Sequence, residues 1–161
     1  MAEEHPREAL GRALGMIPSG LFIVTAGRDG IRSAYVGSWI QQAAFDPPAI
    51  TVAINKQRPL LRMLETGSGM GVNILGRRQA PLYARFERGF TLEEDPFMGV
   101  EIETALTGAP LLREAFASLD CRVRTIVDGA DHAIVFAEVL AGVVRQPGEP
   151  MTYTRRSGFT Y

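Results

Sequence analysis

Short runs of compact or alternating apolar residues recur along the chain and predict a mainly β protein. They are residues 21–26, 31–36, 50–54, 70–75, 117–127 and 132–144. Each run is rich in the β-branched and aromatic residues that suit a half-buried strand. Asp29-Gly30 separates the first two runs and Gly129-Ala130 the last two, which predicts a hairpin at each place.

Helical periodicity is confined to three short stretches, 6–14, 59–65 and 77–86. The first begins at Pro6, a residue suited to the first helical turn, and its apolar positions from Ala9 to Leu14 share one face. Residues 89–100 form a charged loop, about 1–8 form an N-terminal extension, and 147–161 form a polar tail. With no alternation of strands and helices, the pattern predicts one domain of 161 residues, a β-barrel or sandwich with small helical additions.

Charge and composition exclude several broad functions. The net charge of -1 argues against a general nucleic-acid-binding protein. No apolar stretch reaches the roughly 20 residues that span a bilayer, and the N-terminus lacks the pattern of a secretory signal. Cys121, the only cysteine, lies in an alternating run that predicts a buried strand position. A chain without an internal disulfide fits a reducing compartment, so we expect a cytoplasmic protein with no membrane partner.

The usual catalytic motifs are missing from the sequence. Two histidines and one cysteine give no spacing for a catalytic zinc site. Asp131 and His132 are neighbours at a predicted strand edge, so we expect their side chains on opposite faces, unable to act together as orienter and base. The glycines of residues 67–71 follow a helix and open a strand. This is the reverse of the dinucleotide-binding fingerprint and indicates a helix stop.

Residues 37–56 are the best candidate for a binding site. A polar loop over residues 37–42 carries the only tryptophan, Trp39, and leads through two prolines into a strand that ends on Asn55 and Lys56. Lys56 and Arg58 are either solvated strand-end charges or, with Ser38, a phosphate site helped by the positive end of the helix at Pro59. Trp39 is either a core residue or the wall of a ring-binding pocket. His132 is either a satisfied core or surface histidine or a contact to a ring or phosphate.

The order of these segments resembles the flavin reductase-like domain family, over roughly residues 14–144. The segments that carry the resemblance are 17–26, 29–30, 38–43, 46–48, 52–56, 72–75, 95–97, 107–112, 119–123 and 131–132. The pattern Ser-Trp-x-Gln-Gln at 38–42 is particularly similar to the flavin reductase domain that ends some flavodiiron proteins. The resemblance implies a split β-barrel of Greek-key type that binds FMN, with FAD possible.

The same resemblance implies a role for each matching residue. The segment 37–41 would lie along the isoalloxazine ring, and Asn55, Lys56 and Arg58 would contact the ribityl chain and phosphate. His132 would be the catalytic residue beside flavin and nicotinamide, and Tyr153, with Arg155 or Arg156, would reach the site from the tail. The implied cofactor-binding residues are Gly37, Ser38, Trp39, Ile40, Gln41, Ala53, Asn55, Lys56, Arg58, Asn73 and Tyr153.

The resemblance also implies an activity. NADH or NADPH would reduce the flavin by hydride transfer from nicotinamide to flavin N5, in a homodimer whose subunits build each flavin site together. Electrons would pass to a partner protein, or reduced flavin would supply a monooxygenase. The alternative is a non-enzymatic FMN-binding electron-transfer module with the same barrel. A split barrel acting on haem is less attractive because no second well-placed histidine is present.

Overall fold

The structure is a computed structural model that describes residues 5–160. Short strands dominate, with two α-helices and one 3₁₀ helix. In chain order the elements are α1 (Pro6–Gly15), β1 (Ser19–Gly20), β2 (Phe22–Arg28), β3 (Ile31–Gly37), β4 (Ile40–Phe45), β5 (Pro48–Asn55), the 3₁₀ helix (Pro59–Met63), β6 (Gly69–Ile74), α2 (Ala80–Glu87), β7 (Ile102–Thr104), β8 (Pro110–Leu112), β9 (Ala117–Asp128), β10 (His132–Val144) and β11 (Thr152–Tyr153).

Seven strands form one antiparallel sheet in the order β3-β2-β6-β9-β10-β5-β4. Its two edge strands, β3 and β4, are consecutive in the chain and are joined only by Ser38 and Trp39. A connection of this length spans at most about 11 Å, whereas the edges of a flat seven-stranded sheet lie about 29 Å apart. The sheet therefore curls until its edges meet, which confirms the predicted barrel and places Ser38 and Trp39 at the junction of its two edges.

Two apolar clusters stabilise the barrel. One fills its interior with alternate residues of the strands, among them Val24, Val52, Val72, Val123 and Val135, each fully buried. The other lies outside β2 and β3, where α2 contributes Leu82 and Phe86. On the outer face of β5 and β10, Thr51 and Ala53 stay partly exposed and Ile134 is 37% exposed. This asymmetry leaves one side of the barrel available for a cleft.

The two predicted hairpins are confirmed. Asp29 and Gly30 have φ of 52° and 80°, the positive values that a tight two-residue turn between β2 and β3 requires. Strands β9 and β10 pair on either side of the connection at Gly129. Cys121 lies in β9 and is fully buried, as its alternating run predicts. Burial raises the pKa of this thiol to about 12, with a smaller contribution from Asp120, so it stays protonated.

Three local expectations were wrong. Residues 40–45 form strand β4, not a polar loop; it is an edge strand with Gln41, Gln42 and Ala43 exposed, so it lacks the apolar alternation of the inner strands. The stretch at Pro59 is a five-residue 3₁₀ helix, too short to add an appreciable dipole to a phosphate site. Helix α2 begins at Ala80 and not at Arg77, because the side chain of Gln79 accepts hydrogen bonds from the backbone of Gly76 and Phe116.

Helix α1 buries glycines, not its apolar face. Gly11 and Gly15 are buried, whereas Leu10 and Leu14 are exposed. The C-terminal tail fills the space over these glycines: Arg155 N–H donates to Gly15 O (3.0 Å) and Gly158 N–H donates to Gly11 O (2.6 Å). The tail also pairs β11 with β1. Helix and tail thus form one layer over the barrel.

No helix in residues 5–160 is long and apolar enough to cross a membrane. No group of three or more histidine, cysteine and carboxylate side chains in that range could hold a metal ion.

Candidate functional site

One side of the barrel is formed by the outward-facing residues of β5 and β10. In β5, Val52 and Ile54 point into the core, so Thr51, Ala53 and Asn55 face outwards. The register pairs Asn55 with His132 and Ala53 with Ile134, which puts these four side chains on the same face. Ala53 N–H donates to Trp39 O (2.9 Å), and this bond brings the junction of the two barrel edges onto that face.

An apolar cleft of about 420 Å³ opens over this face. Its floor is Ala53 and Ile134, and its wall is the segment Ser38–Gln41 with the Trp39 ring. Helix α1 and the tail close the far side, where Arg155 and Gly158 line the cleft. A cavity of this size with mainly apolar walls fits one planar ligand ring.

His132 lies behind the Trp39 ring. The two ring centroids are 4.7 Å apart at an interplanar angle of 39°, and His132 is only 8% exposed. His132 is not among the residues that line the apolar cleft. Its position supports the Trp39 ring, so it can orient the wall of the cleft.

The expectation that Asp131 and His132 point to opposite faces was wrong. His132 Nδ1 lies 2.8 Å from Asp131 Oδ1. The alternation rule holds inside a strand, but β10 begins at His132, so Asp131 belongs to the preceding turn and can bend back. This hydrogen bond is the largest cause that lowers the pKa of the Asp131 carboxyl. With the carboxylate as acceptor, Nδ1 carries the proton.

A second, basic cleft of about 580 Å³ lies at the end of β5. Its charged walls are Arg58, Arg88 and Glu94, and Asn55 and Thr91 add polar groups. Arg88 forms an ion pair with Glu94 (3.1 Å). Gly89 has φ of 74°, and a Cβ there would lie 3.4 Å from Arg58 Nη1. That distance is an ordinary contact, so it is the positive φ that favours glycine at this position, and the guanidinium of Arg58 lies beside the Gly89 loop.

A small pocket of about 130 Å³ adjoins both clefts. It shares Ser38 with the apolar cleft and Arg58 with the basic cleft. Gly37 and Tyr153 also line it, together with Tyr83, whose pKa is raised mainly by burial and secondly by Glu87. The three spaces are therefore neighbours along a path from the Trp39 ring to Arg58 and Arg88.

Most of the predicted site residues meet along this path. Those that line it are Gly37, Ser38, Trp39, Ile40, Gln41, Ala53, Asn55, Arg58 and Tyr153. Of the two tail arginines, Arg155 lines the apolar cleft and Arg156 is exposed.

Asn73 and Lys56 have other partners. Asn73 is fully buried and its amide bonds to Ile23 O, Leu112 N–H and Ser118 Oγ. Val72 points into the barrel interior, so the alternation of β6 turns Asn73 to the opposite face, where β8 covers it. Asn73 is absent from the lining of all three spaces. Lys56 Nζ lies 2.6 Å from Asp128 Oδ1 and donates to Gly129 O (2.7 Å), so its charge holds the β9–β10 turn.

Sequence reasoning missed the second half of the basic cleft. Arg88, Gly89, Phe90 and Thr91 line it from the loop after α2, which the sequence identified only as charged. The signal was the order Arg-Gly-Phe directly after a helix: a cation and an aromatic ring beside a residue that permits positive φ.

The path fits a planar ring with an anionic chain. Trp39, Ala53 and Ile134 offer flat apolar contact at one end, and two guanidinium groups at the other suit a phosphate. No pair of titratable groups stands in the apolar cleft for acid–base catalysis: Arg155 is its only charged residue among the described ones. The residues of this cleft are suited to bind and orient a ligand.

Comparison with known proteins gives a consistent result. A family model described as the flavin reductase like domain matches residues 14–160, which includes the tail. The chain is 36% identical over 155 residues to diflavin flavoprotein A 1 of Synechocystis sp.. This match covers 94% of the chain but 27% of that protein. The chain therefore spans about a quarter of the length of this relative.

Solved structures share the fold. The NADH:FAD oxidoreductase of Streptomyces globisporus superposes with a TM-score of 0.81 at 23% identity, covering 89% of this chain and 85% of that one. The same enzyme has been solved with NAD and FAD fragments (TM-score 0.77, 24% identity, covering 89% and 85%). A nitrilotriacetate monooxygenase component B from Mycobacterium thermoresistibile gives a TM-score of 0.78 at 27% identity, covering 89% and 80%. The split β-barrel expected from the sequence is thereby confirmed.

Proposed function

The chain belongs to the flavin reductase-like domain family, and from this premise we propose that it is an NAD(P)H-dependent flavin reductase. FMN is the proposed flavin, with FAD as the alternative. When bound, the flavin supplies the chemistry: its N5 accepts a hydride from the nicotinamide. The residues of the chain bind and orient the two nucleotides.

One observation carries this proposal. The apolar cleft at Trp39 and the basic cleft at Arg58 both adjoin one small pocket, which shares Ser38 with the first and Arg58 with the second, so the spaces proposed for ring, chain and phosphate follow each other in the order of a flavin nucleotide. We propose that Trp39 and Ala53 contact the ring and that Ser38 and Asn55 contact the ribityl chain. Arg58 and Arg88 hold the phosphate, with Glu94 giving up its ion pair to Arg88.

Orientation is the main contribution of the protein. Holding two reactants in a reactive geometry is worth up to about 7–11 kcal/mol in favourable cases, so no acid–base pair is needed. We propose that His132, fixed by its hydrogen bond to Asp131, sets the angle of the Trp39 ring and acts through that ring. Apolar walls around the ring subsite keep water away from the reacting atoms.

The electron donor is proposed from related structures. A structure of the same fold is described as a complex with NAD and FAD fragments, which supports a nicotinamide nucleotide as the donor. We propose NADH or NADPH as the donor here. A related chain is named as a component of a monooxygenase, and we propose that the present protein likewise supplies reduced flavin or electrons to a partner. A homodimer in the cytoplasm is its proposed state.

The activity assay separates the proposal from its alternative. Purified protein is mixed with FMN or FAD and then with NADH or NADPH, and absorbance at the nicotinamide and flavin bands is followed. Oxidation of the nicotinamide with bleaching of the flavin is the expected result. A protein that binds flavin but leaves the nicotinamide unoxidised would be an electron-transfer module, and one that binds no flavin would contradict both functions.

A further inference from the structure

Arg155 occupies a particular place in the apolar cleft: its guanidinium carbon lies 4.8 Å from the centre of the Trp39 ring. We propose that this guanidinium is a displaceable stand-in for a planar cationic ring and competes with oxidised nicotinamide for the face of Trp39. The identity of that ring as nicotinamide rests on the proposed function. The competition between Arg155 and planar cations in general does not depend on the proposed function.

The chemistry of the two groups makes them rivals. A guanidinium and the pyridinium of oxidised nicotinamide are both flat, delocalised, weakly hydrated cations. Such cations are attracted to the electron-rich face of an indole, the most favourable of the aromatic side chains. A group that holds this face therefore excludes the other from it.

Arg155 is held there by the ring and not by an acid. None of the ion pairs between described residues includes Arg155, and it is the only charged residue among those lining the cleft. A cation–π contact at a partly exposed site is weak. The guanidinium can therefore leave when a better ligand arrives.

The backbone beneath this side chain is fixed. Arg155 N–H donates to Gly15 O (3.0 Å), and a Cβ on Gly15 would lie only 2.4 Å from Arg155 O. Three residues further on, Gly158 N–H donates to Gly11 O. Displacement is thus a rotation of one side chain, which leaves the tail docked and lets Arg155 return.

The size of the cleft indicates what the rotation of the Arg155 side chain achieves: it makes room for a second ring. With Arg155 in place the cleft holds about 420 Å³, near the lower end of the range for one small ligand. Hydride transfer needs two stacked rings, so the second ring needs the space that Arg155 fills. After transfer the nicotinamide becomes a cation, and the returning guanidinium competes with it and promotes its release.

The sole tryptophan makes the competition measurable. Fluorescence of Trp39 is titrated with the N-methylnicotinamide cation, and with neutral nicotinamide as a ring of the same shape. We expect Arg155→Ala to bind the cation about two- to fivefold more tightly than the wild type, the ratio that corresponds to an exposed cation–π contact. The affinity for neutral nicotinamide should increase less in Arg155→Ala, because this ring meets no charge repulsion from Arg155 in the wild type.

Three variants control the measurement. Arg155→Lys keeps a competing cation and should stay near the wild-type affinity, while Arg155→Gln keeps a planar polar group without the charge and should behave like Arg155→Ala. Arg156→Ala removes the exposed neighbouring charge and should change nothing. The proposal is overturned if Arg155→Ala and Arg155→Gln both bind the cation no more tightly than the wild type does. It is also overturned if none of the proteins binds the cation. Failure of the protein to oxidise NAD(P)H would contradict the proposed function. The titration would still decide whether Arg155 competes with planar cations for Trp39.

Discussion

Asn73 illustrates how a polar residue near a binding strand can serve the barrel instead of the cleft. Its amide bonds to β2, β8 and β9 at once, through Ile23 O, Leu112 N–H and Ser118 Oγ. The sequence places an asparagine in an apolar run but does not reveal its partners, because all three are distant along the chain. These bonds give Asn73 a structural role, and its implied cofactor contact stays a prediction.

Asn73→Ala should lower the free energy of unfolding by about 1–3 kcal/mol, since it leaves buried polar groups without partners. Urea unfolding followed by Trp39 fluorescence measures the change. Gln42→Ala is the matched control: this amide is exposed and makes one backbone contact, so its effect should stay within about 0.5 kcal/mol. Unchanged stability with weaker flavin binding in Asn73→Ala would restore the cofactor contact that the sequence suggested.

The pair Asp131–His132 predicts a measurable titration. Its hydrogen bond lowers the pKa of the Asp131 carboxyl in the folded protein. A lowered folded-state pKa stabilises the fold above the ordinary pKa of an aspartate, and this stabilisation is lost as the pH falls through the folded value. In His132→Ala we expect the pKa of Asp131, followed by NMR of the carboxyl carbon, to rise towards its ordinary value.

Lys56→Met is the comparison for that titration, because the coulombic contribution of Lys56 to the lowered pKa is the smallest one. It should raise the pKa of Asp131 less than His132→Ala does. An unchanged pKa in His132→Ala would show that the hydrogen bond is absent in solution.

At the scale of elements, the sequence predicted the strands that are buried on one face. It did not predict the edge strand β4, the small strands or the contact between the tail and α1. Strands β2, β3, β5, β6, β9 and β10 follow the apolar runs. Strand β4 and the small strands β1, β7, β8 and β11 do not, because their residues are polar or few and their pairing depends on distant partners. The docking of the tail on α1 could not be predicted for a similar reason. It depends on two glycines four residues apart, which add nothing to the pattern of apolar residues.

The α1–tail contact predicts a specific effect of Gly15→Ala. Alanine favours a helix by about 1 kcal/mol over glycine, so α1 itself should not weaken. Its Cβ would meet the backbone of Arg155 at 2.4 Å, so the tail should move away and remove Arg155 from Trp39. We expect changed Trp39 emission and faster proteolysis within residues 154–160.

Gly27→Ala is the control for this substitution. It adds the same methyl group where the nearest atoms lie at ordinary contact distances of 3.7 Å or more, and it should leave the tail protected. Equal protection of the tail in both variants would contradict the close packing of α1 against Arg155.

At the scale of the whole molecule, apolar surface is left uncovered. A hollow of about 450 Å³ beside β4 is lined by apolar residues that include Phe22, Ile50 and Val139. Phe45, at the end of β4, is 90% exposed. Surfaces of this kind are typical of proteins that associate.

We expect a homodimer at micromolar concentration. Size-exclusion chromatography with light scattering should give twice the mass of the chain, because a second copy covers the apolar surface. Phe45→Glu should shift the protein towards the monomer, while Val127→Glu, on another exposed apolar residue, should not. A monomeric wild-type protein would contradict this expectation.

The ring-binding end of the proposed site, and one arginine of its phosphate-binding end, could be predicted from the sequence. Ser38, Trp39 and Arg58 could be identified because they cluster within about 20 residues of the chain. Arg88 and Gly89 come from a loop that only the folded barrel brings beside Arg58. Lys56 was predicted to bind phosphate, but its nearest partners are across the β9–β10 turn, where no local pattern could place it.

The most direct test of the proposed flavin site compares FMN with riboflavin, which lacks the phosphate. Dissociation constants are measured by flavin fluorescence for the wild type, Arg58→Ala and Arg62→Ala, an exposed arginine outside the three spaces. The wild type and Arg62→Ala should prefer FMN by about tenfold or more, as charge-assisted hydrogen bonds allow. In Arg58→Ala the preference should largely disappear while riboflavin binding persists; equal preference for FMN in all three proteins would contradict the site.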